Sequence, residues 1–266
     1  FSDRPDVCIS RSATPSPDSR AITAAVRALV WSMAARAVLA DPDQRARWLR
    51  HGATWFAGVD ALPNDAQGRV GQGPPLAGAA WDSVRDVAGA LALHPAQLSV
   101  TFPGYPRQDA GESAAAHRYR LIRDAAHLDG LLPEGPDRRR HLREPHGYIL
   151  GVALTRADAG AAPLVVYEAS HEVMRTALRK ALAGIAPADW GDVDITEAYQ
   201  AARRVCFDTC KRVTITLAPG DAVVVHRLAL HGIAPWAQNA TAAPEGRMIA
   251  YLRPILPRVS DWLGLP

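Results

Sequence analysis

The chain has 266 residues, 48% hydrophobic and 21% charged, with 20 Gly, 21 Pro and a net charge of +3. So much apolar surface excludes a disordered chain, and so small a charge gives no case for nucleic acid as a partner. No run approaches the ~20 apolar residues that span a bilayer, so no membrane partner is expected. Cys8, Cys206 and Cys210 lack metal-site spacing and read as reduced thiols. With no apolar leader in view, they point to a reducing compartment, the cytoplasm.

In chain order, residues 1–18 are rich in Ser, Pro and Asp and read as a loosely held arm. From Ser19 to Ala40 the apolar positions Ile22, Val26, Leu29, Val30 and Met33 recur at helical spacing. Asp41-Pro42 fits an N-cap followed by Pro in the first turn, predicting a short helix through Arg50. Residues 58–79 carry five Gly and three Pro and read as a loop with the length of an active-site flap. A helix is expected over Trp81–Leu93. Strands are then expected at residues 98–102, 118–122, 146–155, 163–167, 213–217, 222–226 and 247–252. Helical inserts at about 172–184 and 195–210 interrupt them. This order predicts one domain over 1–266, mainly β: a sandwich or barrel buttressed by helices. Residues 1–95 form its helical support and 97–256 its core.

Two segments carry chemistry. In the first, His127-Leu-Asp129 follows a predicted strand, and a period of two puts both side chains on one face. In the second, Pro219-Gly220-Asp221 opens an apolar strand, and a further turn brings His231-Gly232, where Gly lets backbone approach closely. Sixteen residues beyond His231, Gly246-Arg247 opens another strand. Two His and one carboxylate suit non-haem Fe(II) with open coordination positions. A 2-oxo acid can chelate through two of these and dioxygen can take the third. The far carboxylate of 2-oxoglutarate then needs a fixed cation, which the planar, permanently charged fork of Arg supplies.

These motifs resemble the phytanoyl-CoA dioxygenase family of Fe(II)/2-oxoglutarate oxygenases. The resemblance rests on His127-x-Asp129, on Pro163-Leu-Val-Val-Tyr-Glu-Ala-Ser170-His171, on Gly220-Asp221 leading to His231-Gly232, and on Arg247. It covers roughly residues 97–256. It implies a double-stranded β-helix (jelly-roll, cupin-like), iron ligation by His127, Asp129 and His231, and 2-oxoglutarate salt-bridging by Arg247. The expected activity is a hydroxylating dioxygenase that uses dioxygen on a small organic substrate and releases succinate and carbon dioxide. Asp129 speaks against a halogenating branch, where halide occupies the carboxylate's position.

The chain departs from the pattern in places. Ala169 stands where Gly is usual, and Ile233 where many members place a 2-oxoglutarate-binding hydroxyl. Tyr251, sharing a face with Arg247, can supply that hydroxyl, as can Tyr119 if an unbroken strand puts it in phase with His127. The long loop after His231 makes Arg253 a rival to Arg247. Trp236 either walls the pocket or packs. Arg138, Arg139, Arg140 and Arg143 form either a solvated loop or a basic approach for an acidic substrate. His226 and His171 read as structural, and His94, His117, His141 and His146 have no partner at ligand spacing. Two other classes share this pattern: a non-catalytic metal- or ligand-binding barrel, and a zinc-type barrel metalloenzyme.

Overall fold

The computed structural model describes the backbone of residues 7–10 and 19–266, and side chains from residue 27 onward. The first third contains β1 (Val7–Ser10), α1 (Ser19–Ala40), α2 (Pro42–Trp48), β2 (Leu49–Arg50), β3 (Trp55–Gly58) and α3 (Ala79–Ala88). The middle contains β4 (Gln97–Thr101), α4 (Ala114–Arg123), β5 (Leu131–Glu134), β6 (Arg139–Leu142), β7 (Ile149–Ala153), β8 (Leu164–Tyr167), α5 (Ser170–Ala181) and α6 (Thr196–Thr209). The last part is β9 (Arg212–Ile215), β10 (Ala222–Val225), β11 (His231–Ile233), β12 (Arg247–Leu252) and α7 (Asp261–Gly264).

The strands form a seven-stranded sheet in the order β1-β10-β7-β12-β4-β3-β2, a three-stranded sheet β11-β8-β9 and the hairpin β5-β6, all antiparallel. The structure is sheet-rich with flanking helices, and among the described residues no sheet closes on itself. Alternation along β12 shows how the layers meet. Ile249 points into an apolar cluster with Ile149, Val223 and Val225 of the large sheet and Leu164, Val166 and Ile215 of the small one. Met248, Ala250 and Leu252 point the other way, into a second cluster with Trp31, Ala35, Leu62 and Val84 from the N-terminal third. A third cluster, around Met174, Leu178, Tyr199 and Trp262, packs α5, α6 and α7 beside the small sheet.

Several expectations are corrected. Within the predicted arm, Val7–Ser10 pair with β10 as an edge strand; the rest of that arm lies outside the described residues, as do the side chains of Cys8, Ile22 and Val26. On α1 the buried face is Trp31, Ala35 and Leu39, while Leu29 and Met33 are 57% and 59% exposed. Asp41 caps α2 as read, its carboxylate accepting from the amides of Asp43 and Gln44, but the helix ends at Trp48. The 58–79 loop is no flap over the site. Leu62, Val70 and Leu76 bury it in the N-terminal cluster, and Asn64 ties it to the backbone of His94 and Ala96.

The strand expected at 118–122 is helix α4. Ser113 caps it by accepting from the amide of Ala116, and three alanines follow, the best helix formers. The Arg138–Arg143 run is no solvated loop either, because it turns into β6 of the hairpin.

Candidate metal centre

α4 ends in two residues of left-handed conformation, Asp124 at φ 57° and Ala125 at φ 51°, which reverse the chain toward His127. The Asp124 carboxylate fastens this turn to the small sheet. It accepts two hydrogen bonds from Arg212, at 2.8 and 2.7 Å, and one from the Tyr167 hydroxyl at 3.1 Å. His127 and His231 then exchange both backbone hydrogen bonds, at 2.8 and 3.1 Å, across an isolated antiparallel bridge. Gly232 permits this approach. A Cβ there would lie 2.2 Å from the Asp124 carbonyl oxygen, so no other residue fits without a backbone shift. On the upstream side, the Ser170 hydroxyl accepts from the amide of Leu230 at 2.8 Å. The Ser-His motif thus anchors the loop that delivers His231.

The side chains converge. One ligand atom each from His127, Asp129 and His231 lies within 4.8 Å of the other two. His127 Nδ1 donates to the carbonyl of Ala125 and His231 Nδ1 to that of Ala229, both at 3.0 Å. Each ring therefore turns its Nε2 to the centre, the atom a metal would take; burial disfavours the charged His127 ring, but the hydrogen bond and charge of Asp129 raise its pKa. Asp129 Oδ1 is 3.1 Å from His127 Nε2, and Oδ2 is 3.8 Å from His231 Nε2. Metal–ligand distances of about 2.0–2.2 Å place neighbouring donors roughly 3 Å apart, so the set fits a first-row divalent cation. Asp129 and His231 are buried and His127 is half exposed, which leaves one side open.

Burial of Asp129 favours its neutral form, yet the hydrogen bond to His127 and the charges of Arg253 and His231 hold its carboxyl well below the usual range. Burial pushes the His231 imidazole down and His127 adds to this, against the pull of Asp129.

Arg247 sits at the start of β12, in register with Thr101 of β4, and is 6% exposed. Its Nη1 and the Thr101 hydroxyl are both buried without a hydrogen-bond partner. Such orphans are rare and mark a place for a polar ligand. Tyr251 shares the inward face, its ring against Gly151, where a Cβ would come within 2.9 Å of it. Tyr119 does not share it. The residue lies on α4 and its hydroxyl donates to the carbonyl of Ala126 at 2.5 Å, bracing the turn before His127. Trp236 donates its indole N–H to Ala240 and so folds onto its own loop.

The arginine run is largely neutralised. Arg139 pairs with Asp194 and Glu197, Arg143 with Glu134, and Arg140 donates to the Leu131 carbonyl; Arg138 occupies the hairpin turn at φ 52°. Arg253, weighed from sequence only as a rival to Arg247, reaches the triad itself. Arg253 Nη1 lies 3.3 Å from Asp129 Oδ2, and its Nη2 donates to Gln97 Oε1. For this contact the sequence offers phase, since Arg253 keeps step with Arg247, Ile249 and Tyr251.

No family model and no curated protein matches this chain. Among solved structures, EctD from S. alaskensis with 2-oxoglutarate and 5-hydroxyectoine matches at 14% identity over 95% of this chain and 73% of that one, with a TM-score of 0.40. The non-haem alpha-ketoglutarate-dependent carbocyclase SnoK from nogalamycin biosynthesis matches at 15% identity over 64% of this chain, TM-score 0.33, and the match spans 54% of SnoK's length. Asparagine oxygenase, AsnO, matches at 13% identity over 90% and 91% of the two chains, TM-score 0.31. The case for a function rests on the site itself.

Proposed function

We propose that this chain is an Fe(II)- and 2-oxoglutarate-dependent oxygenase of the phytanoyl-CoA dioxygenase type, one domain over residues 1–266, hydroxylating a small organic molecule with dioxygen. One observation carries this reading. Two Nε2 atoms and a carboxylate converge on one point, and the buried, partner-free Arg247 Nη1 lies on the facing strand layer. The family motifs occur in the expected order around these residues. The two facing sheets are read as the halves of a double-stranded β-helix, with residues 127–129 standing beside β11 where a further strand of the small sheet would lie. Two free thiols, Cys206 and Cys210, fit a cytoplasmic setting.

In this reading His127, Asp129 and His231 would hold the metal, three donors that leave room for a chelating 2-oxo acid and dioxygen. Arg247 binds the far carboxylate of 2-oxoglutarate through a charge-assisted fork, with the Thr101 and Tyr251 hydroxyls as neutral partners. Ile149, Val223 and Ile249 keep water from the inner layer, which strengthens each of these contacts. When bound, Fe(II) supplies the activation of dioxygen that couples oxidative decarboxylation of 2-oxoglutarate to substrate oxidation. The test is succinate formation on adding Fe(II) and 2-oxoglutarate in air. Slow release that depends on Fe(II) and stops with a chelator supports the oxygenase. Metal binding with no succinate, across a panel of small acceptors, returns the site to a binding barrel or a zinc-type enzyme.

A further inference from the structure

Just past the end of β12, Arg253 is held through its main chain and both terminal nitrogens, while its buried Nε has no partner. Its backbone amide donates to His94 Nε2 at 3.1 Å and its carbonyl accepts from His146 Nδ1 at 2.8 Å. Two histidines without a ligand role thus lock the main chain from both sides. Two of the three guanidinium nitrogens are committed as well, Nη2 to Gln97, the first residue of β4, and Nη1 to Asp129 Oδ2. The side chain is 20% exposed and that of Asp129 9%, so the attraction acts in a medium much less polarisable than water. Asp129 Oδ1 alone is left at 3.1 Å from His127 Nε2.

We propose that Arg253 is a positioning residue for the metal centre: strapped to Gln97, it holds one carboxylate oxygen of Asp129 and so commits only the other to the metal. A one-oxygen carboxylate leaves a coordination position that a two-oxygen carboxylate would fill, and a chelating 2-oxo acid with dioxygen needs every such position. The inference rests on reading the triad as a metal centre.

Electrostatics alone gives the opposite expectation. A cation beside the metal repels it, so removing that charge should tighten metal binding. Positioning predicts weakening, by the 10–100-fold typical of groups that orient metal ligands.

Anaerobic titration of the metal-stripped full chain with Co(II), read by calorimetry and by the visible Co(II) bands, separates the two. Arg253→Met should bind Co(II) about 10–100-fold more weakly than the parent, with altered bands. Arg253→Lys keeps the charge but not the two-pronged reach, and should not restore the parental bands. Gln97→Leu changes no charge and should shift the bands in the same direction with a loss of roughly 3–10-fold, so it decides the matter even if Arg253→Met fails to fold. Equal or tighter binding with parental bands in Gln97→Leu, or full rescue by lysine, overturns the proposal. If the parent itself takes up no Co(II), the metal-centre reading fails instead.

Discussion

Two pairs of imidazoles sit at the two ends of the connection between β10 and β11, and their rings meet almost identically. His127 and His231 have centroids 4.9 Å apart and planes at 45°, while His171 and His226 are 4.7 Å apart at 42°. Each pair has a carboxylate and an arginine at hand, in different balance: Glu172, 59% exposed, lies 3.2 Å from His171 Nε2, while the Asp129 of the first pair is buried and also meets Arg253. Asp129 reaches both rings of the first pair. Around the second, Arg175 Nη2 lies 2.9 Å from His226 Nε2, and Arg227 is buried alongside. Burial, then the charges of Arg227, His171 and Arg175, push the His226 pKa down to about 2. The two arginines disfavour a cation at His226, whereas one buried carboxylate within reach of both rings suits the first pair to one. Ring geometry alone does not distinguish the two pairs; the placement of charge does.

The largest effect that can break this comparison is loss of the carboxylate. Asp129→Ala should abolish Fe(II) or Co(II) uptake and reduce succinate formation to background, while His171→Gln should bind metal within about twofold of the parent, a margin well under 1 kcal/mol. Metal uptake by Asp129→Ala would show that the imidazoles suffice.

Next comes the 2-oxoglutarate pocket. Truncating one member of a buried charge pair costs roughly 2–5 kcal/mol, or about 30- to 4000-fold in affinity. Arg247→Ala should therefore raise the 2-oxoglutarate requirement by at least an order of magnitude, with Co(II) affinity nearly unchanged. Kinetics of succinate formation against 2-oxoglutarate check it, and a large effect in Arg253 variants alone would move the anchor to that residue.

The second pair has a signature in acid. His226 stays neutral in the folded state down to about 2, while the unfolded chain takes up its proton near 6.5. The unfolded state therefore binds more protons below that value, and stability falls as pH drops. Between pH 6.5 and 4.5 the loss assignable to this ring is roughly 2 kcal/mol. Urea denaturation at both pH values should show a shallower fall in His226→Gln. A slope equal to the parent's would remove His226 from the account.

The smallest effect lies where the two regions touch. Ser170 neighbours His171, and its hydroxyl accepts from Leu230, which neighbours His231. Ser170→Ala leaves that buried amide unpaired, at a cost of about 1–2 kcal/mol. A melting temperature lower by a few degrees, with Co(II) affinity down only severalfold, is the expected result.

How much of this was written in local sequence differs from residue to residue. β12 runs over Arg247–Leu252 as read, because Gly246 and Pro254 punctuate it and its alternation is strong. The triad was legible because each ligand lies in a short motif whose neighbours have local jobs, such as Gly232 and Ser170. The strand misassigned at 118–122 shows the limit. Residues 118–122 alone do not show the Ser113 cap and the three alanines before them, which set the helix. Arg253 was less accessible still, since it meets Asp129 across 124 residues of chain. No spacing rule reaches that far, and only the pairing of β12 with β4 brings Gln97 and Arg253 together.

The rung shared by His127 and His231 has a consequence for the life of the protein. The main chain sets the gap between these two ligands, each amide bonded to the other's carbonyl, before any cation arrives. The entropy of assembling the donors is spent when the polypeptide folds, so uptake of the ion involves little further ordering. A chelator should empty such a centre without unfolding it, and refilling should be a single encounter between ion and protein. Ageing by loss of the ion is then reversible, and damage becomes permanent only when a ligand itself is chemically altered.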